Sequence, residues 1–122
     1  GPQHSPGEAL LQKAEYTKAV EWFTNHYQSD PGDWRAQARL VEILTDHFDD
    51  DERPTGEKNR LLKAEGVPEG LWCRTALEVA SYREANDRPK QARTIYGMLV
   101  ERYPDTWEAG EARERLQNLK VD

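Results

Sequence analysis

The chain has 122 residues and a formal net charge of −6, with 36% hydrophobic and 33% charged residues. This acidic balance disfavours nucleic-acid backbones and anionic membrane surfaces as partners, because both attract basic patches. No apolar run approaches the about 20 residues that span a bilayer, so we expect no direct membrane insertion. The composition is typical of a single domain in which each helix buries one narrow stripe.

The predicted elements are seven helices and no strands. The first begins at a capping box from Ser5 to Glu8 and runs to about Ala14. The carboxylates of residues 49–52 repel one another and Pro54 cannot continue a helix, so a turn is predicted there. The predicted helices cover about residues 5–14, 16–27, 34–48, 55–65, 69–85, 89–102 and 107–119.

Polar residues ahead of the helices predict their caps, and apolar spacing predicts their buried faces. Asp33 is expected to cap the third helix, and Asp105 or Thr106 the last one. Trp34 and Trp107 occupy equivalent positions, so a structural role is expected for both. The predicted core includes Tyr16, Ala19, Val20, Phe23, Tyr27, Trp72, Tyr82, Ala92 and Tyr96.

The sequence also repeats itself at a fixed interval. Two strong copies of one pattern contain prolines at positions 31 and 104, and a fainter copy between them contains a proline at position 68. The three prolines are therefore separated by 37 and 36 residues. A step of this size predicts an array of helical hairpins, each too small to bury its apolar face alone. The strong copies are Ala19, Phe23, Pro31, Trp34 and Ala36, then Ala92, Tyr96, Pro104, Trp107 and Ala109.

The spacing Ala19-x3-Phe23 followed by Pro31 resembles the second half of a tetratricopeptide (TPR) repeat, as does its copy at positions 92, 96 and 104. This chain matches the family's sequence signature for the first helix of each repeat only poorly. The resemblance implies an all-α, right-handed superhelix of antiparallel hairpins, with about three units and a C-terminal capping helix. Gly1 and Pro2 resemble the scar of a cleaved tag, so residues 1–4 are expected to comprise this tag scar and a disordered N-terminus, and residues 5–122 a single TPR-like repeat domain.

TPR arrays bind peptides or partner helices on the concave face made by their first helices. The family's Lys/Asn/Arg clamp is not supported, because Glu42 and Ser81 stand where that clamp has Asn. The arginines on this face either pair with an acidic peptide or simply solvate their helices. Trp22 is either an interface anchor or part of the core. Carried over from the family, the partner-binding positions are Arg35, Arg39, Glu42, Arg74, Leu77 and Ser81, with Trp22 beside them.

Catalytic, cofactor and metal sites are not predicted. Cys73 is expected to be a buried structural thiol. Glu42, Asp46, His47 and the acidic residues 49–52 are the nearest approach to a catalytic or metal-binding group, and a solvated acidic turn is the simpler interpretation. The histidines at positions 4, 26 and 47 have no metal-ligand spacing.

These observations favour a non-catalytic adaptor that forms part of a larger bacterial protein and binds a protein partner. The second hypothesis is a self-association module that forms a homo-oligomer through an apolar edge at Leu10, Leu11 and Trp22. The ending Glu101 to Asp105 is similar to that of TPR arrays in bacterial cell-envelope proteins. The resemblance therefore implies a cell-envelope location, periplasmic or membrane-tethered, with the cytoplasm left open.

Overall fold

A computed structural model describes residues 4–49 and 52–119 of the chain. These residues form seven α-helices and no strand, so the all-α prediction is confirmed. The chain divides into two compact units, with the division inside the fourth helix between Lys58 and Asn59. The helices are α1 Ser5–Gln12, α2 Tyr16–Ser29, α3 Trp34–His47, α4 Glu52–Lys63, α5 Glu69–Ala85, α6 Pro89–Arg102 and α7 Trp107–Asn118.

The first unit is built by packing α1 on α2 and α2 on α3. Ala19 and Ala36 are fully buried, and these small side chains let the helices approach closely. Burying each of the larger side chains contributes about 1.5–3 kcal/mol. Leu10, Leu11, Trp22 and Phe48 pack against the outside of this core while staying partly exposed. The core comprises Ala19, Val20, Phe23, Tyr27, Ala36, Leu40, Ile43 and Leu44.

The start of the chain differs from its prediction. Ser5 is already helical and makes no capping bond, and His4 takes the N-cap position of α1. The predicted capping box is therefore wrong. The prediction that residues 1–4 are disordered is wrong for His4, whose exposed fraction is 6% because it packs against the first unit. Residues 1–3 lie outside the described residues.

The fourth helix also begins earlier than predicted. It starts at Glu52 and includes Pro54, which is buried. A proline is compatible with the first turn of a helix, because the N–H groups there have no intrahelical partner to lose. Asp50 and Asp51, part of the predicted turn, lie outside the described residues.

The second unit packs α5 against α6, α6 against α7, and α5 against α7. The Trp72 indole is fully buried and donates a hydrogen bond to the carbonyl oxygen of Leu62 at 3.1 Å. At the surface, the Glu84 carboxylate accepts hydrogen bonds from the Tyr96 hydroxyl, at 2.9 Å, and from Arg115. One carboxylate therefore links α5, α6 and α7.

Two aromatic residues are more exposed than predicted. Trp107 is 71% exposed, because it lies on the opposite side of α7 from the buried Ala109 and Ala112. Tyr82 is 51% exposed, since the buried residues of α5 end with Ala80. A core position for Tyr82 is therefore wrong, and Trp107 lies largely in solvent.

Candidate functional site

A surface cleft of about 430 Å³ lies on α3 in the first unit. Residues 35, 38, 39 and 42 share one face of this helix, because they are spaced three or four residues apart. The beginning of α1 closes the other side. Three of the predicted partner-binding residues, Arg35, Arg39 and Glu42, are thus brought together. The lining residues are His4, Glu8, Arg35, Ala38, Arg39 and Glu42.

Arg39 is held in place by carboxylates on two sides. Its Nε and Nη2 atoms donate to the two oxygens of Glu8, at 2.9 and 3.0 Å, and its Nη1 donates to Glu42 at 2.8 Å. The bond from Arg39 lowers the pKa of Glu8, and the same bond raises the pKa of Arg39. A bidentate pair of this kind is both directional and charge-assisted. Arg39 is therefore an organised part of the cleft wall.

Arg35 is the available cation in this cleft. It is exposed, and among residues 4–49 and 52–119 it has no hydrogen bond or ion pair. A guanidinium group offers five N–H donors in a planar fork that matches a carboxylate. Arg35 can therefore bind an incoming acidic group without first breaking a contact within the protein.

Two imidazoles meet one carboxylate beside the cleft. His4 Nε2 and His26 Nε2 lie 2.7 and 2.8 Å from Oδ2 of Asp33. The other oxygen, Oδ1, accepts the backbone N–H of Ala36 at 3.3 Å, which confirms Asp33 as the cap of α3. Burial raises the pKa of Asp33, but the bonds from His4, His26 and the Ala36 N–H outweigh it and lower that pKa to about 2. The carboxylate is thus ionised throughout the ordinary pH range.

The histidine cluster could not be found from sequence spacing. His4 precedes α1, His26 lies in the last turn of α2, and Asp33 caps α3, so each comes from a different element. The loop between α2 and α3 and the docking of α1 bring them together. Of this cluster, the sequence indicates only the capping role of Asp33.

Trp22 supports this cluster from α2. Its ring stacks on His26 with centroids 5.0 Å apart and meets the ring of Phe23 edge-on. It also lies edge-on to His4 at 6.3 Å. Trp22 is half-buried and belongs to the outer layer of the first core.

A second cleft of about 290 Å³ reaches the candidate residues Asp46 and His47. The His47 ring stacks on Tyr16 with centroids 3.8 Å apart. Over the described part of the chain, the group of acidic, histidine and cysteine side chains with metal-binding proximity is His4, His26 and Asp33. That group does not include Glu42, Asp46 or His47.

The other predicted partner-binding residues belong to α5 in the second unit. Arg74 and Ser81 are exposed and Leu77 is half-buried, and their spacing of three and four residues places them on one face. Ser81 Oγ lies 3.4 Å from the Tyr96 hydroxyl. Cys73 is fully buried, which confirms its expected position, and burial raises the pKa of its thiol.

None of the described helices combines the length and the apolar character needed to cross a membrane. In comparisons with known proteins, no family model matches the chain and no curated protein matches it. The candidate site is therefore interpreted from its own geometry.

Proposed function

We propose that this chain is a non-catalytic protein-interaction module that binds an acidic peptide segment or partner helix in the cleft on α3. The observation that carries the proposal is the exposed Arg35 beside an arginine already fixed by Glu8 and Glu42. As a finer proposal, the helices form a TPR-like right-handed superhelix of about three hairpin units with a capping helix. The resemblance supports a role as an adaptor within a larger bacterial cell-envelope protein.

The charges of the cleft favour one kind of partner. Glu8 and Glu42 are both bonded to Arg39, whose single positive charge offsets one of these two carboxylates. The attraction for a partner therefore comes from Arg35. Arg35 has no such compensation among the described residues, and the neighbouring Ala38 is small enough for a peptide backbone to approach. A carboxylate on the partner would make a charge-assisted pair with Arg35.

The proposal is tested with a random peptide library displayed on phage and panned against the purified chain. Enriched peptides are then synthesised with a fluorescent label, and their Kd values are measured by anisotropy. We expect acidic peptides, and a loss of about tenfold or more in affinity for Arg35→Glu. Arg93→Glu, an exposed arginine on α6, is the matched control and should bind normally.

Two outcomes would contradict the proposal that this cleft binds acidic peptides. Either the enriched peptides carry no acidic residue, or Arg35→Glu binds them as tightly as the unchanged chain does. Glu42→Lys serves as a second cleft variant. It should fold with nearly unchanged stability, because the exposed Arg39–Glu42 pair is worth only about 0.5 kcal/mol or less.

Self-association is the competing proposal. Sedimentation over a wide concentration range distinguishes it from the adaptor proposal. A monomer at all concentrations supports the adaptor proposal. A dimer that disappears when Leu10, Leu11 or Trp22 is replaced by a polar residue would instead make self-assembly the function. These three side chains are partly exposed at the edge of the first core.

A further inference from the structure

We infer that His4, His26 and Asp33 form a binding site for one divalent transition-metal ion of the zinc type. The three donor atoms, two imidazole nitrogens and one carboxylate oxygen, all lie within 4.8 Å of one another. His4 is buried, and His26 and Asp33 are half-buried. This inference is independent of the peptide-binding proposal.

The donor set selects the class of ion. Two imidazoles and a carboxylate suit Zn²⁺ or Co²⁺, which bind nitrogen and oxygen ligands at about 2.0–2.2 Å. Ca²⁺ and Mg²⁺ prefer oxygen ligands throughout and would find only the Asp33 carboxylate here. Three protein ligands also leave a tetrahedral ion one position for water.

The ligands are supported by their surroundings. The backbone N–H of Ala36 donates a hydrogen bond to Oδ1 of Asp33, and this bond leaves Oδ2 directed toward both histidines. The His26 ring is stacked on Trp22, and the His4 ring meets Phe23 edge-on at 5.9 Å. Supporting contacts of this kind orient the ligands of known metal sites and limit the rearrangement that binding requires.

Metal binding would replace two hydrogen bonds. An ionised carboxylate only accepts, so both Nε2 atoms donate to Asp33 in the metal-free protein. Ligand atoms about 2 Å from a tetrahedral ion lie roughly 3.3 Å apart, so each nitrogen has to withdraw from Oδ2 by about half an ångström. Each Nε2 proton then moves to Nδ1 through solvent, or is released if that ring was charged, and the freed lone pair binds the metal.

The competing explanation is that the cluster only caps α3, and titration of the metal-free chain distinguishes the two. Zn²⁺ binding is measured by calorimetry, and Co²⁺ binding by the visible absorption of the tetrahedral ion. We expect one ion per chain with both probes.

Three variants connect the binding to the named residues. His26→Ala and Asp33→Asn should each lower the Zn²⁺ affinity at least tenfold, and His4→Ala should do the same. Asparagine is as good an N-cap as aspartate, so Asp33→Asn should keep α3 capped and folded, which circular dichroism verifies. His47→Ala removes the histidine outside the cluster and should bind Zn²⁺ as the unchanged chain does.

The inference is overturned if calorimetry finds no saturable binding of Zn²⁺ to the unchanged chain. It is also overturned if folded Asp33→Asn and His26→Ala bind as tightly as the His47→Ala control. A second readout is thermal: excess Zn²⁺ should raise the Tm of the unchanged chain and of His47→Ala, and raise that of Asp33→Asn by less.

Discussion

The Tyr27 hydroxyl lies 3.0 and 2.9 Å from the two carboxylate oxygens of Glu57, and both side chains are buried. Gln37 adds bonds to the same residue, donating from Nε2 to the Glu57 backbone carbonyl at 3.1 Å and to Oε2 at 3.2 Å. Side chains of α2 and α3 therefore hold a carboxylate of α4. This polar cluster fixes the beginning of α4 to the first unit.

Removing the Tyr27 hydroxyl should destabilise the chain. Tyr27→Phe leaves the buried Glu57 carboxylate with one donor fewer, so we expect a loss of about 1–3 kcal/mol in the free energy of unfolding. Urea denaturation measures the change. Tyr82→Phe, at an exposed tyrosine, is the control and should be neutral. Equal stability of the two variants would show that the Tyr27–Glu57 bond contributes nothing.

At Gly7, α1 lies close to the aromatic side chains of α2. A Cβ atom built there would lie 2.6 Å from ring atoms of both Phe23 and Trp22. Gly7→Ala should therefore lower Tm, although alanine is the better helix former by about 1 kcal/mol. Gly110→Ala, in α7 with open space around it, should raise or preserve Tm. A rise in Tm for Gly7→Ala would mean that α1 is not docked against these rings.

Ala92 is one of the fully buried small residues of the second unit. It is fully buried in α6, so Ala92→Trp should overpack the helix interface and cost at least about 1–3 kcal/mol, enough to loosen this unit. Arg93→Trp places the same side chain at the next, exposed position and should melt as the unchanged chain does. Thermal melts followed by circular dichroism make the comparison. Cooperative unfolding of Ala92→Trp at an unchanged temperature would contradict the close packing.

Glu84 should make the second unit sensitive to acid. Hydrogen bonds from Arg115 and Tyr96 lower its pKa below the ordinary value of 4.5, despite opposition from burial. The stabilising effect is therefore complete above that ordinary value and is lost as the pH falls through the lowered pKa of the folded state. Tm measured from about pH 7 down to about pH 2 should fall less steeply in Glu84→Gln.

The control for this pH series is Glu101→Gln, at an exposed position of α6. Its Tm should fall at acid pH as steeply as that of the unchanged chain. Some loss remains in Glu84→Gln, since Glu8 and Asp33 also have lowered pKa values. If the curves of Tm against pH are parallel for Glu84→Gln and the unchanged chain, Glu84 is not a cause of the acid sensitivity.

The sequence by itself determined the helices and many of their ends, because these depend on local chemistry. Asp33 and Thr106 were recognisable as caps, each bonding a backbone N–H three residues ahead. Pro31 and Pro104 follow the ends of α2 and α6 as predicted. Pro54 was misread, since the same residue that ends a helix is also compatible with its first turn.

The tertiary structure alone decided which side chains meet. Asp33 is joined to His4 over 29 positions, Arg39 to Glu8 over 31, and Tyr27 to Glu57 over 30. Spacing along one helix predicts which residues share a face, but not which face of another helix lies opposite. That depends on the depth and angle at which α1 and α4 dock. The cleft residues on α3 could therefore be predicted together, whereas the histidine cluster became visible only once three separate elements had packed.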